Sequence, residues 1–450
     1  MRHLTDFMQA LERGALSARA LAESCLEKAQ DPAGEGARAF IDLDADWVRA
    51  QADAADAARR RGRRPSPFAG IPVSIKDLFD VCGEVTRAGS RVFEGRAPAP
   101  SDCPAVARLR ARGFIPFGRV NMTEFAYSGL GLNKNFGTPA SPWDRATRRI
   151  PGGSSSGGAV SVADGMAPAT LGTDTGGSCR IPAAFCGIVG LKTTTRRVSR
   201  DGVVPLSTTL DSVGPLANSV DCCAILDAVL AGGVPATETA LPTRGLRLGA
   251  VQNYVLEGLD AEVAEAYERA LRRLAAAGVA IEPVSIPVLD RLPEINRNGG
   301  LVGAEAWDFH RQYVEASAGR YDPWILGRFE AGKRQSAADY LALVRTRSAV
   351  IAEVGPAVRR FDALTWPTVA VVSPPIASLE RDQERQTQVN LKVLRNAAVA
   401  NFLDRPALTM PCHEPGAAPV GFMVVGAPGH DRRLLAVAKG IEDVVRLDRR

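Results

Sequence analysis

"RIPGGSSSGGAVSVADGMAPATLGTDTGGSCRIPAAF" runs from Arg149 to Phe185. Two serine- and glycine-rich clusters, Gly152–Gly158 and Gly172–Ser178, flank an apolar stretch. Glycine carries no Cβ, so successive backbone N–H groups can converge on one point. A run such as Thr175-Gly176-Gly177-Ser178 can therefore form an anion nest with a serine hydroxyl at its end. The competing reading is turn chemistry, in which the glycines make tight turns and the serines cap helices.

Other hydroxyl-rich motifs fit less well. A P-loop needs a lysine directly after its last glycine, and neither cluster has one. Gly153-Ser154-Ser155-Ser156-Gly157 satisfies the G-x-S-x-G pattern of a nucleophile elbow. An elbow follows a buried strand, however, and the preceding "PWDRATRRIP" cannot be one. His3, His310, His413 and His430 are far from both clusters, and nothing around them suggests a triad. With histidine unconvincing, lysine is the next candidate base for a serine nucleophile. Lys76 ends "IPVSIK", an otherwise apolar strand. Burial would depress its pKa and make it a usable base; an ordinary lysine snorkelling to solvent is the alternative. Alternation along the strand turns Asp77 to the other face, so the two need not pair.

The composition matches a soluble globular protein. It has 450 residues, 46% hydrophobic and 23% charged, with a net charge of +5. The densest basic run, Arg59–Arg64, reads as a solvated loop rather than a nucleic-acid contact. The eight cysteines make no C-x-x-C pair and suit neither zinc nor a disulfide framework, which points to thiols in a reducing cytoplasm. The N-terminal residues lack the apolar core of a signal peptide, and no run is long enough for a membrane span.

Periodicity gives the organisation. Leu4, Phe7, Met8 and Leu11 predict an opening helix, and Ala45–Arg61 a second. Strands are expected at Gly70–Val81, Phe114–Gly118, Gly187–Lys192, Leu246–Val251, Val279–Ile286, Ala363–Pro367, Ala407–Met410 and Val420–Val425. Helices are expected at Asp102–Arg112, Ala159–Gly165, Val220–Leu230, Ala261–Ala277 and Arg432–Val445. The alternation argues for an α/β chain with a largely parallel or mixed sheet sheathed by helices. Residues 287–358 read as mainly helical, either a cap over a pocket or a peripheral layer. No linker is evident, so residues 1–450 are expected to form one unit.

"GGSSSGGAVSVADGMAPATLGTDTGGSCRIPAAFCGIVGLK" closely resembles the signature of the amidase signature family. "GIPVSIKDLFDV", "GRVNMTEFAYSGLGLN", "GTPASPWD" and "VSRDGVVPLSTTLDSVGPLANSV" are similar to its flanking segments, and "RPALTMPC" and "APVGFMVVG" to its C-terminal strands. The resemblance implies one large mixed, mostly parallel sheet covered by helices on both faces. It implies a Ser–cisSer–Lys triad, with Ser178 as nucleophile, Ser154 as bridging serine and Lys76 as base. Backbone amides of Thr175, Gly176, Gly177 and Ser178 would form the oxyanion hole. Met122, Thr123, Tyr127 and Gly153 would contact substrate. The implied reaction is hydrolysis of a carboxamide or urea-like C–N bond in a small molecule. No metal or cofactor is implied, no nucleic-acid or membrane partner is expected, and a homodimer is common among bacterial relatives. The sequence departs from many relatives at Ser156, Gly158 and Cys179. The alternative is the amide-hydrolysing component of a glutamyl-tRNA(Gln) or aspartyl-tRNA(Asn) amidotransferase. Such components usually carry glutamine after the arginine of S-I-R-Q-P, whereas this chain has Ser178-Cys179-Arg180-Ile181-Pro182.

Overall fold

Eleven strands form one sheet in the computed structural model, which describes residues 3–447. Residues 1–2 and 448–450 of the expected unit lie outside the described residues. The strands are β1 (Phe40–Asp42), β2 (Pro72–Lys76), β3 (Ile115–Val120), β4 (Ala169–Asp174), β5 (Val189–Lys192) and β6 (Ser212–Ala217), then β7 (Arg247–Val251), β8 (Ala280–Val284), β9 (Ala363–Pro367), β10 (Ala407–Pro411) and β11 (Gly421–Val425). Their spatial order is β1-β3-β2-β4-β6-β5-β10-β11-β9-β7-β8.

The expectation of a large mixed sheet holds, but "mostly parallel" is corrected. Parallel pairing joins β2 to β3 and β4, and β7 to β8 and β9. The other six pairs are antiparallel: β1–β3, β4–β6, β5–β6, β5–β10, β10–β11 and β9–β11. Each parallel pair is joined by a connection long enough to hold a crossover helix, such as Pro104–Ala111 between β2 and β3 and Ala261–Ala276 between β7 and β8.

Every residue of β2, β4, β5, β6, β9, β10 and β11 is buried. Strands buried on both faces read as continuous apolar or small-residue runs, without alternation. Two glycines show the cover on either side. A Cβ on Gly421 would lie 2.7 Å from Ala184 of the helix Arg180–Cys186, and one on Gly426 would lie 3.1 Å from Leu434 of the helix Asp431–Val445. Five residues apart, these positions face opposite sides of the sheet.

The sequence reading missed β1, β4, β6 and the helices Ala18–Gln30 and Gln383–Phe402, among others, and placed the helix after the first serine cluster three residues late, since it runs Ser156–Ala163. Residues 287–358 are largely helical as expected. His310, Tyr321 and Phe329 of this region pack ring against ring with Phe125, the closest pair being His310 and Phe329 with centroids 3.9 Å apart. No helix among the described residues is long and apolar enough to cross a membrane.

The sheet approaches the second serine cluster closely at Gly190 of β5, where a Cβ would sit 2.4 Å from the Cys179 carbonyl oxygen and 2.7 Å from Ala183 Cβ. Gly190→Ala is expected to lower stability by about 1–3 kcal/mol through this overlap, read by urea denaturation.

Candidate active site

Both serine clusters border β4. The first ends in the helix Ser156–Ala163, which leads into the strand, and the second begins at the strand's end. The clusters meet through their backbones, the Ser155 amide donating to the Ser178 carbonyl at 3.3 Å. The Gly153–Ser154 peptide bond is cis. A Cβ on Gly153 would lie 2.6 Å from the Gly131 amide nitrogen and 2.7 Å from Thr123 Oγ1, so only glycine fits there.

Lys76, the last residue of β2, is wholly buried, which excludes the snorkelling alternative. Its Nζ donates to Ser154 Oγ at 2.8 Å and to Thr173 Oγ1 at 2.9 Å. Both partners are hydroxyls. Burial lowers the Lys76 pKa to about 8, against an opposing pull from Cys179, Asp174 and Asp211. Asp77 turns away as strand alternation requires, accepting from Arg119 Nε at 3.2 Å and the Gly89 amide at 3.0 Å.

Ser178 is 3% exposed. Among the described residues no hydrogen bond joins its hydroxyl to that of Ser154. Catalytic hydrogen bonds are often long before substrate arrives and shorten in the complex. The amides of Thr175, Gly176 and Ser178 donate to no acceptor among the described residues, and the three lie on one turn. Gly177, grouped with them in the sequence reading, differs: its N–H donates to Asp174 Oδ1 at 2.8 Å. That donor is committed to shaping the turn. Gly177 has φ +128°, and a Cβ there would lie 2.5 Å from Ile181 Cδ1.

Asp174, which sequence reasoning overlooked, organises this turn. Its carboxylate also accepts from the Cys179 amide at 3.1 Å, Asn401 Nδ2 at 2.8 Å, and Arg180 Nη2 and Nε at 2.9 and 3.0 Å. Asp174 and Arg180 are both fully buried. Burial alone would raise the Asp174 pKa, but Arg180 together with Lys192 and Asn401 outweighs it and holds the carboxyl below its ordinary range. The Asp174–Gly177 bond spans three residues and was open to a sequence reading as an Asx-type turn. Asn401, far along the chain, left no such signal.

The candidate substrate contacts separate. Thr123, Tyr127 and Gly153 belong to segments that interlock: the Thr123 amide donates to the Ser154 carbonyl at 3.1 Å, and the Gly153 amide to the Gly129 carbonyl at 2.8 Å. Met122 is taken up by packing. It is wholly buried beside Gly89, and its carbonyl accepts from Asn133 Nδ2 at 2.7 Å. Among the described residues no group of three or more His, Cys, Asp or Glu is placed to hold a metal ion.

Comparison with known proteins gives a consistent picture. The family model described as Amidase matches residues 20–435. The chain is 36% identical to a 2-amino-5-chloromuconic acid deaminase of Comamonas testosteroni, over 98% of this chain and 96% of that protein. It is 35% identical to a component of the glutamyl-tRNA(Gln) amidotransferase of Anaeromyxobacter sp. (strain K), over 95% and 93% of the two chains. A solved structure described as an amidase superposes with a TM-score of 0.89 at 34% identity, covering 99% of this chain and 100% of the other.

Removing one partner of the buried Asp174–Arg180 pair leaves an uncompensated charge. Arg180→Met is expected to cost about 3–5 kcal/mol of stability, measured by chemical denaturation.

Proposed function

We propose, since this chain belongs to the amidase family and hydrolyses amides, that it cleaves a carboxamide or urea-like C–N bond of a small molecule through a serine acyl-enzyme. Lys76, neutral, takes a proton from Ser154 as Ser154 takes one from Ser178. The Ser178 oxygen attacks the carbonyl carbon, and the amides of Thr175, Gly176 and Ser178 hold the oxyanion. Collapse breaks the C–N bond, and the proton returns through Ser154 to the departing ammonia or amine. Water then adds to the acyl-enzyme by the same relay, releasing the acid and restoring Ser178. The reading assigns no role to a metal or cofactor and places the enzyme in the cytoplasm.

The observation that carries this reading is the dry Lys76 amine, 2.8 Å from Ser154 Oγ. A charged lysine could not accept the proton. Its depressed pKa makes the neutral form available near neutral pH. The Asp174–Arg180 pair supports the reading from the other side, because it shapes the turn that carries Ser178.

A second reading follows from the similarity to the amidotransferase component, in which the chain would act within a complex. The two separate cleanly. The purified chain alone is expected to release ammonia from simple amides; activity only with added partner proteins would favour the complex.

Ser178→Ala and Lys76→Ala are each expected to lower kcat by at least about 10³-fold while the fold persists, checked by ammonia release and circular dichroism. A fluorophosphonate is expected to label Ser178 and no other residue, read by peptide mass spectrometry. Activity should also follow the lysine. The base works only when deprotonated, so kcat/KM is expected to rise with pH through about 8 and level off above it.

A further inference from the structure

Arg328 lies on the helix Pro323–Gly332, close to the loop that wraps Gly153 and Ser154. Its guanidinium stacks over the Tyr127 ring, 4.3 Å from the centroid, and over the Trp324 ring at 5.1 Å. Its Nε is shielded from solvent and has no hydrogen-bond partner. No carboxylate pairs with it among the described residues. The two acids nearest the start of its helix are already committed. Asp322 meets Lys134 at 3.4 Å, and Glu124 accepts from Ser90 Oγ, Asn135 Nδ2 and the Asp322 amide. Arg328 is half-buried, and an arginine so placed normally finds an acid, because a carboxylate matches its planar fork.

Two more polar groups on the same path lack partners. Asn390 Oδ1 accepts from Ser128 Oγ and the Gly129 amide, both at 3.0 Å, while its Nδ2 is buried and unpaired. Thr123 Oγ1, beside Gly153, is buried and unpaired as well. Leu394, one helical turn beyond Asn390, lies 3.6 Å from where Gly176 would carry a Cβ and 3.1 Å from where Gly129 would. Gly176 belongs to the turn that carries Ser178. The loop from Thr123 to Gly129 thus lines a path that touches the serine cluster at Thr123, Arg328 at Tyr127, and Asn390 at Ser128 and Gly129.

We propose that this path is the acyl side of the substrate site and that Arg328, assisted by Asn390, binds a carboxylate, so that the substrate is an amide whose acyl part carries an acid group. This rests on the Ser178 reading above and adds the substrate class to it. The guanidinium supplies the charge, Tyr127 and Trp324 hold its plane, and Asn390 Nδ2 supplies a neutral donor to the same anion. Thr123, nearer Ser154, is positioned to meet the substrate closer to the scissile bond. Burial lowers the Arg328 pKa, with Tyr127 opposing the shift, consistent with a cation that lacks an acid partner.

The test compares the half-amides of succinic and glutaric acid with their methyl esters, which are neutral and nearly the same shape. The wild-type chain is expected to favour the free acids in kcat/KM by about 10- to 100-fold, the range for a hydrogen-bonded ion pair. Arg328→Gln should raise KM for the acids by a similar factor, leave the esters within about twofold, and leave kcat little changed. Arg328→Lys should restore part of the preference. Glutarate should raise the melting temperature of the wild type and much less that of Arg328→Gln, whether or not any amide is turned over. Equal use of acid and ester, an equal loss for both in Arg328→Gln, or no thermal shift with glutarate would overturn the inference. A chain that binds glutarate through Arg328 yet hydrolyses no amide would refute the Ser178 reading and leave the carboxylate site standing.

Discussion

An amine without water around it and with only hydroxyls to bond is the constraint on which the site depends. Lys76 reaches Ser154 and Thr173, neither of which stabilises a cation as a carboxylate would. The carboxylates in the neighbourhood are spent elsewhere. Asp77 faces Arg119, Asp174 holds Arg180, and Asp211 accepts from Thr175 Oγ1 at 2.5 Å. Had one of them turned toward Nζ, the lysine would stay charged. The sheet enforces the separation: β2 directs residues 76 and 77 to opposite faces, and β4 on the neighbouring side supplies the Thr173 hydroxyl.

The buried Asp174–Arg180 pair does a different task a few residues away. Its two charges are balanced by each other, by Asn401 and by two backbone amides. Such a pair is weak evidence for stability but strong evidence for geometry, since few arrangements satisfy every group. Here the satisfied arrangement bends the chain from Thr175 to Ser178 into a turn that leaves the Thr175, Gly176 and Ser178 amides without an acceptor among the described residues. Arg180 also donates to the Ala397 carbonyl at 2.8 Å, so the turn is fixed to the helix Gln383–Phe402. That helix carries Asn390, Leu394 and Asn401 along one stretch and forms a wall common to the nest and the acyl side.

Much of this was legible in the residues. The two hydroxyl clusters and the apolar run ending at Lys76 stood out in the residues, whereas the roles of Ser154, Ser178 and Lys76 came from the family resemblance. The long apolar strands β9 to β11 and the helix–strand alternation around β7 and β8 were equally clear. The helix Gln383–Phe402 was not. Its buried residues include Gln386, Asn390, Asn396 and Asn401 among apolar ones, so polar side chains interrupt the inward face and the hydrophobic period is faint. Strands β4 and β6 escaped because their buried residues are small or atypical for a strand, among them Gly172, Gly214 and Pro215.

The amino-acid sequence by itself determined which residue types stand where: two hydroxyl clusters joined by a short segment, a lone lysine closing an apolar strand, and glycines where no Cβ fits. These are local properties, and local patterns carry them. Only the tertiary structure decided what each group touches. The order of strands brought Lys76 within hydrogen-bonding distance of Ser154, 78 residues away, and Asn401 to Asp174, 227 residues away. It also left Arg328 beside Tyr127 without an acid. Such pairings arise from how the sheet and helices pack, and no periodicity along the chain records them.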